Sequence, residues 1–516
     1  FQLDGRNIDV KAKAVHARGG FRYLQPANDE PWLGILAGIS TDDGSQAWRY
    51  FPENLMGQDL VDYLSGAIQG GEADNATLVY GGNPQLFPYK HNEGQFEVLV
   101  PLRNAKFAFQ PDWPALTNLD IELDFINDGL WMKTDGVNLG GVRASNLTAV
   151  IPDYSKEKLL IDADIKGPGK AVGPYFDETP LKDSLGATLQ ELQLDGDVNA
   201  RLHLDIPLNG ELVTAKGEVT LRNNSLFIKP LDSTLKNLSG KFSFINGDLQ
   251  SEPLTASWFN QPLNVDFSTK EGAKAYQVAV NLNGNWQPAK TGVLPVAVNE
   301  ALSGSVAWDG KVGIDLPYHA GATYNVELNG DLKNVSSHLP SPLAKPAGEP
   351  LAVNVKVDGN LNSFELTGQA GADNHFNSRW LLGQKLTLDR AIWAADSKTL
   401  PPLPEQSGVE LNMPPMNGAE WLALFQKGAA ESVGGAASFP QHITLRTPML
   451  SLGNQQWNNL SIVSQPTANG TLVEAQGREI NATLAMRNNA PWLANIKYLY
   501  YNPSVAKTRG DSTQSS

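Results

Sequence analysis

The chain has 516 residues, of which 40 are Lys or Arg and 55 are Asp or Glu, so its net charge is −15. This surplus of negative charge disfavours nucleic acid and the headgroup surface of an anionic membrane as main partners. The chain contains no Cys, so its fold needs no disulfide, and no apolar run reaches the roughly 18 residues of a membrane-spanning helix.

Helical patterns are few. Residues 54–69 predict an amphipathic helix, because apolar residues recur there at about helical spacing. These residues are Leu55, Leu60, Val61, Leu64 and Ile68. Residues 180–192, which begin at a Pro, and residues 417–427 predict two further short helices.

Strand patterns dominate the rest of the chain. Alternation of apolar and polar residues is typical of strands with one buried face. It occurs in residues 119–125, 198–206, 278–282, 324–328 and 353–357. We therefore expect a protein that is mostly β.

Asn-Gly and Asp-Gly pairs punctuate this pattern. Such pairs predict tight hairpin turns, because their residues tolerate positive φ angles. The pairs are Asp195-Gly196, Asn283-Gly284, Asp309-Gly310, Asn329-Gly330 and Asp358-Gly359. Together with the alternation they predict consecutive antiparallel strands arranged in a meander.

A self-repeat supports this arrangement. Residues 100–130 align without a gap onto residues 219–249, an offset of 235 − 116 = 119, and twelve of the 31 aligned pairs are identical. Three of the identical pairs are Asn104/Asn223, Asn118/Asn237 and Asn127/Asn246. Chance would give roughly two identities at ordinary residue frequencies. The repeating object is a block of strands.

These signals divide the chain into seven segments. They are 1–75 (β-strands plus the first helix), 76–192 (β-repeat unit 1), 193–310 (β-repeat unit 2), 311–400 (further groove strands), 401–437 (a Pro-rich and helical insertion), 438–500 (groove strands) and 501–516 (a flexible tail). Because the chain begins without Met, inside a predicted strand, we interpret it as an excerpt of a longer protein and expect any membrane anchor to lie outside it.

The size of the sheet limits its architecture. At roughly 10–12 residues per strand and turn, 516 residues supply about 40 strands, or a sheet well over ~100 Å long. Such a sheet coils, closes or packs against another. Three architectures fit: packed sandwiches or barrels, a closed β-helix, and a curled sheet whose apolar inner face stays open and holds something apolar, such as acyl chains.

Motifs for catalysis are missing. The chain has no dinucleotide fingerprint, phosphate loop or serine nucleophile elbow, and its seven His residues are scattered. We therefore predict no catalytic residue, no metal site and no cofactor.

Some polar residues could have either a functional role or an ordinary surface role. Asp120, Glu122 and Asp124 alternate along one strand face and could bind a cation or act as paired carboxylates. A solvated polar face is the favoured interpretation, because the second repeat carries Ser, Lys and Ser at the corresponding positions. His203, beside Asp205, is interpreted as a surface histidine rather than a base.

Aromatic residues raise a similar question. Trp258, Phe259 and Trp286 could line a sugar site, as aromatic rings do in glycan-binding β proteins. Core packing or groove lining is the favoured interpretation.

Three runs of residues resemble the AsmA-like family of Gram-negative envelope proteins. They are residues 192–208 (LQLDGDVNARLHLDIPL), 235–251 (LKNLSGKFSFINGDLQS) and 256–263 (ASWFNQPL). The resemblance covers essentially the whole chain, which would be a middle portion of a larger member. These runs are structural repeat signatures and carry no catalytic residues.

The resemblance implies a long, curled, repetitive antiparallel β-sheet that forms an extended apolar groove, with a few short helices, related in architecture to TamB and the chorein-type bridge proteins. It implies a periplasmic segment that passively conducts phospholipids between the inner and outer membranes. The implied partners are phospholipid acyl chains, the two membranes through parts outside this chain, and other envelope proteins. The full-length protein would be anchored in the inner membrane.

The alternating strands nominate the residues that would line such a groove. They are Ile121, Leu123, Phe125, Leu202, Leu204, Ile206, Phe242, Phe244, Val278, Val280, Leu282, Val353, Val355 and Val357. Two alternatives remain open at this point. One is a scaffold protein of envelope assembly with closed, dry cores; the other is an enzyme or binder of envelope glycans, which would need aromatic rings and carboxylates that converge on one cleft.

Overall fold

A computed structural model describes residues 1–229, 232–431 and 437–503. Strands hold 60% of the residues and helices 13%, which confirms a mostly β protein built on a repetitive antiparallel sheet with a few short helices. The chain forms two compact units: residues 1–256 with 267–276, and residues 257–266 with the chain from 277 onward. The seven predicted segments are finer than these units and stay a prediction. Most of the predicted tail 501–516, and residues 432–436 of the predicted insertion, lie outside the described residues.

The first unit is an antiparallel meander. Its strands are β1 (Gln2–Lys11), β2 (His16–Leu24), β3 (Trp32–Thr41), β4 (Ile68–Gly82), β5 (Gln95–Phe107), β6 (Leu116–Ile126), β7 (Gly129–Leu139), β8 (Val142–Ile151), β9 (Lys158–Pro168), β10 (Leu192–Asp195), β11 (Asp197–Pro207), β12 (Thr214–Ile228), β13 (Ser233–Ile245) and β14 (Asp248–Ser251). Each strand from β1 to β9 pairs with the next in sequence, and β9 then pairs with β11. The meander continues through β12, β13 and β14, while β10 pairs with the distal part of β12. The boundaries between the units fall within β15 (Leu254–Trp258), β16 (Gln261–Glu271) and β17 (Ala275–Trp286).

The second unit begins as a meander and then changes direction. Its strands are β18 (Leu302–Gly304), β19 (Val306–Pro317), β20 (Thr323–Asp331), β21 (Val335–Ser337), β22 (Ala352–Asn360), β23 (Ser363–Ala370), β24 (Asn374–Leu382), β25 (Leu386–Ala394), β26 (Gly408–Asn412), β27 (Met416–Asn417), β28 (Ala437–Ser438), β29 (Ile443–Leu452), β30 (Gln455–Thr467), β31 (Gly470–Gln476), β32 (Ile480–Arg487) and β33 (Leu493–Leu499). Strands β19, β20, β22, β23, β24 and β25 pair antiparallel in that order. Strands β25, β26 and β29 are parallel, and β29 to β33 are again antiparallel. Strands β18 and β21 form a separate two-stranded sheet.

The helices are short, and they confirm the predicted positions in outline. They are α1 (Glu53–Met56), α2 (Gln58–Ala67), α3 (Val172–Phe176), α4 (Ala187–Glu191), α5 (Val296–Ala301) and α6 (Gly418–Glu431). The helix predicted at 54–69 is divided into α1 and α2, because Gly57 has a φ of +84°, which an α-helix does not accommodate. The helix predicted at 180–192 is a π-helical turn, Lys182–Gly186, followed by α4. The helix predicted at 417–427 is α6.

None of the five predicted Gly pairs forms a hairpin turn. Gly196, with a φ of +91°, joins β10 to β11, but both strands pair with β12, so the chain continues in the same direction there. The other four pairs lie inside β17, β19, β20 and β22. Packing explains at least one of these glycines: a Cβ on Gly359 would lie 2.7 Å from the Tyr324 ring and 2.6 Å from Phe364. A side chain is therefore excluded because neighbouring aromatic residues occupy its space.

The predicted repeat is a structural repeat. Its first copy covers β5, β6 and the start of β7, and its second covers β12, β13 and β14. Asn104 and Asn223 have φ angles of +48° and +53°, and both lie at irregularities in strand register. Left-handed Asn residues at these positions make β-bulges, which bend the strand.

The core of the first unit lies beneath its helices. Leu60 and Leu64 of α2 are 0% exposed and belong to one apolar cluster with residues of β4 to β9 and the end of β11. The α1–α2 segment therefore covers this face of the sheet.

Candidate functional site

An apolar face crosses the strands of the second unit in register. Val355 of β22 is paired with Leu328 of β20 on one side and with Gly368 of β23 on the other. The same row continues to Phe376 of β24 and Trp393 of β25. Residues that are directly paired point to the same side of a sheet. The row from β19 to β25 crosses six strands, or roughly 24 Å at about 4.8 Å per step.

The two sides of this sheet differ in exposure. Val353, Val355 and Val357 are half-buried, whereas Lys356 and Asp358, which alternate with them on β22, are exposed. The predicted inward face of β22 is thus an apolar surface with part of its area accessible, opposite a polar surface.

Strand β17 has the same alternation. Val278 is 6% exposed, Val280 and Leu282 are half-buried, and Ala279 between them is exposed. Near Val278 the second unit has an open cleft of about 410 Å³. Ile314 and Tyr324 are among the residues that line it.

The aromatic residues considered as a sugar site form one cluster in the second unit. The Trp258 and Phe259 rings stack at 5.0 Å, and Trp286 lies 6.3 Å from Trp258 and 4.9 Å from Trp308. The indole of Trp286 donates to the Pro262 carbonyl oxygen at 2.6 Å. The rings contact one another, so this geometry agrees with packing rather than with a stacking platform.

Three of the eight predicted lining residues of the first unit lie in its packed core. Ile121, Leu123 and Ile206 are 5%, 3% and 1% exposed and share a cluster with the α2 residues. Phe125 packs against this cluster, and its ring lies 6.1 Å from that of Phe51, just before α1. The protein's own helical segment therefore occupies this part of the apolar face.

The remaining predicted residues of the first unit are half-buried. Leu204 packs at the margin of the same cluster, and Leu202 precedes it on β11. Phe242 contacts Phe267 at a ring distance of 5.5 Å, and the Phe244 ring lies where a Cβ on Gly217 would be, at 2.8 Å.

The three alternating carboxylates have separate structural surroundings. Asp120 accepts a hydrogen bond from the Asn104 backbone amide at 3.0 Å, which stabilises the bulge, and Glu122 pairs with Lys133 at 3.3 Å. Burial, and then the neighbouring Glu97 carboxyl, raise the pKa of Asp124 to about 6. Within residues 1–229, 232–431 and 437–503, no group of three or more His, Cys, Asp or Glu residues is placed to hold a metal ion.

His203 has an ordinary surface role. Its Nδ1 atom lies 2.8 Å from an Asp162 carboxylate oxygen, on the opposite side of β11 from Leu204. Asp205 instead lies 3.6 Å from the Lys158 ammonium. The two residues therefore form separate surface pairs.

The sequence analysis did not identify every residue of the apolar face, and it did not predict that helices α2 and α6 lie over apolar strand faces. Val326, Leu328, Leu366, Phe376 and Trp393 continue the row of β22. Alternation in residues 324–328 was the available signal for the first two. No local pattern indicates that α2 and α6 lie on the same apolar faces. Over the described part of the chain, no helix is both long and apolar enough to cross a membrane.

Comparison with known proteins places the chain in a family. All of its residues, 1–516, match the family model described as YhdP protein. The chain is 99% identical over 516 residues to the protein of Escherichia coli (strain K12) named "Intermembrane phospholipid transporter YhdP". The alignment covers 100% of this chain and 41% of that relative, so the chain spans about two fifths of the relative's length. No solved structure matches.

Proposed function

Because the chain belongs to the YhdP family, we propose that it is a segment of a longer protein that carries phospholipids between the inner and outer membranes. In this proposal acyl chains lie against the apolar strand faces, while the headgroups remain in water. The segment would lie in the periplasm, and other parts of the longer protein would reach the two membranes and any envelope protein partners.

The observation that carries the proposal is the in-register apolar face of the second unit. Val326, Val355 and Leu366 belong to rows that cross neighbouring strands, and all three are half-buried. A packed core would bury such residues almost fully, as it does Leu123 at 3% exposure in the first unit. The remaining exposed area is suited to an apolar ligand.

Energetics explain why a continuous apolar face is sufficient for transfer. Moving one ~16-carbon chain through water costs about 13 kcal/mol at ~0.8 kcal/mol per methylene. A face that stays apolar from strand to strand removes most of this cost without any covalent step. No catalytic residue or cofactor is therefore required, and movement along the segment would be passive.

One observation favours a second candidate, a scaffold that does not conduct lipid. Ile121, Leu123 and Ile206, which would line the groove in the first unit, are buried in the same apolar cluster as the α2 residues. If the faces of the second unit were closed in the same way in the full-length protein, the chain would serve a structural role in the envelope.

A photo-crosslinking residue placed at Val355 in the full-length protein tests the proposal. The matched control is the same residue at Lys356, the next position on β22, which points to the opposite side. Crosslinking in living cells is followed by mass spectrometry of the attached molecules. We expect phospholipid adducts at Val355 and none above background at Lys356.

Two other results would contradict the proposal. Absence of adducts at both positions, with the protein folded and abundant, would favour the dry scaffold. Equal adducts at both positions would mean that lipid contacts the protein surface without selecting the apolar face.

A further inference from the structure

Helix α6 lies on the apolar face that the proposed lipid path follows. Trp393, Leu411 and Leu445 are paired in register across the parallel strands β25, β26 and β29. Trp393 also belongs to the same row as Val355, through Phe376. The α6 residue Trp421 lies on this side, with its ring 6.4 Å from that of Trp393.

The helix therefore occupies the place that an acyl chain would reach next. An acyl chain that moves from Val355 towards β29 reaches Trp393 after three strand spacings, a distance of roughly 14 Å. Trp421 packs there with Leu411 and Leu445 against a small cluster that includes Met413. Continued movement along this face requires that α6 leaves it.

The packing of α6 is light compared with that of α2. Leu60 and Leu64 of α2 are completely buried, whereas Trp421 and Leu424 of α6 are only half-buried. Phe425, one helical turn after Trp421 and with its ring 6.0 Å from the Trp421 ring, is 64% exposed. Elements with few buried apolar contacts open most easily.

The polar contacts that hold α6 lie at its two ends. At the start of the helix, Asn417 Oδ1 accepts hydrogen bonds from two backbone amides, and the Trp421 indole donates to the Ser341 carbonyl oxygen at 3.0 Å. Near its end, Lys427 forms an ion pair with Glu300 of α5, and both side chains are about half exposed. Exposed ion pairs stabilise little, so they hold a helix that can still be released.

We propose that α6 is a gate on the lipid path. When seated, it closes the apolar face over β25, β26 and β29; when displaced, it opens that face to an acyl chain. Leu422 and Phe425 of α6 are exposed apolar side chains, so the displaced helix can itself contact lipid. This proposal rests on the proposed lipid transfer and adds the element that regulates it.

A chemical clamp tests the gate. The chain contains no Cys, so Lys427→Cys together with Glu300→Cys introduces one pair that a short bismaleimide can join across the ion-pair site. A photo-crosslinking residue is placed at Leu411, beneath α6, or at Val355, before it, in the full-length protein. Trp421→Ala provides the opposite variant, in which α6 is released.

The expected results differ between the two reporter positions. Lipid adducts at Leu411 should fall at least tenfold after clamping and rise in Trp421→Ala, while adducts at Val355 persist in every variant. The double-Cys protein without bismaleimide and each single-Cys protein with bismaleimide are the controls. Because a new residue at Leu411 could disturb the cluster, the measurement is repeated with the reporter at Leu445.

Two results overturn the gate, and a third is separate from it. Equal adducts beneath α6 in clamped and free protein would mean that lipid bypasses the helix. No adducts at Leu411 or Leu445 in any variant, with adducts at Val355, would make α6 a fixed plug. No adducts at Val355 in any variant would instead contradict the proposed function itself.

Discussion

Asn127 and Asn246, which are 119 positions apart, close their turns with the same pair of hydrogen bonds. The Asn127 amide donates to the Phe96 carbonyl oxygen at 2.8 Å, and the Phe96 amide donates to Asn127 Oδ1 at 2.9 Å. The second repeat has the same two bonds between Asn246 and Ala215, at 2.6 and 2.8 Å. The φ angles are +51° and +53°. The repeated asparagine is therefore selected for both its backbone conformation and its side-chain oxygen.

Replacement of Asn127 by Ala should destabilise the first unit. The half-buried Phe96 amide would lose its partner, which costs up to about 1–3 kcal/mol, and Ala in the left-handed region costs roughly 1–2 kcal/mol more. Asn246→Ala should cost less, because Asn246 is exposed whereas Asn127 is 7% exposed. Hydrogen exchange of the Phe96 and Ala215 amides, together with urea unfolding, measures the loss of stability in the two variants. Unchanged protection of Phe96 in Asn127→Ala would refute this role.

The Asp124 carboxyl should make stability depend on pH. Its pKa is raised to about 6 in the folded protein from an ordinary 3.8, by burial first and then by Glu97. A raised carboxyl pKa means that folding favours the protonated form. The contribution of Asp124 to stability is therefore fully present below about pH 3.8 and is lost as pH rises through about 6.

Asp124→Asn should remove this dependence, because the amide stays neutral. We expect its thermal midpoint to exceed that of the unmodified protein at pH 7.5, with the difference shrinking towards pH 4. Asp120→Asn is the control on the same strand face, because Asp120 is not one of the groups that raise the pKa of Asp124 and an Asn oxygen can still accept the hydrogen bond from the Asn104 amide. Identical pH profiles for Asp124→Asn and the unmodified protein would contradict the prediction.

A charge on the apolar side of β17 should block lipid far more than one on its polar side. Val280 is half-buried and the adjacent Ala279 is exposed, so Val280→Asp and Ala279→Asp place the same carboxylate on opposite sides of one strand. A charge against hydrocarbon costs about 2.5–3.5 kcal/mol, which corresponds to at least a tenfold loss. Lipid adducts at a Val355 photo-crosslinker, at equal protein abundance, measure the effect. Equal losses in the two variants would count against conduction along this face.

The two helical covers should differ in their importance for stability. Leu60→Ala in α2 removes a completely buried side chain and should cost about 2–5 kcal/mol. Leu422→Ala in α6 removes a side chain that is 49% exposed, so the free energy of unfolding should change by less than about 0.5 kcal/mol. Urea unfolding followed by hydrogen exchange within each helix compares them. A cost for Leu422→Ala as large as that for Leu60→Ala would show that α6 is structural.

The strands and their two sides could be predicted from the sequence because the signal is local. Successive side chains of a strand point to opposite sides, so alternation in residues 198–206 and 353–357 identified β11 and β22 and the residues that share a face. The self-repeat, whose two copies are 119 positions apart, likewise identified two similar blocks of strands. The Gly pairs gave wrong turn predictions. A Gly can mark a turn or make room for a ring such as that of Tyr324, and which of the two applies depends on the neighbouring strand.

What covers each face was decided only by the tertiary structure. Ile121 and Val355 lie in equally apolar alternating strands, yet Ile121 is buried beneath α2 while Val355 is half-buried on an accessible face. The α1–α2 segment, which precedes β4, shares a core with residues of β6, and α6, which follows β27, contacts Trp393 of β25. Periodicity reports which residues lie together, but contact with a remote segment depends on how the whole chain packs, because apolar burial is non-directional.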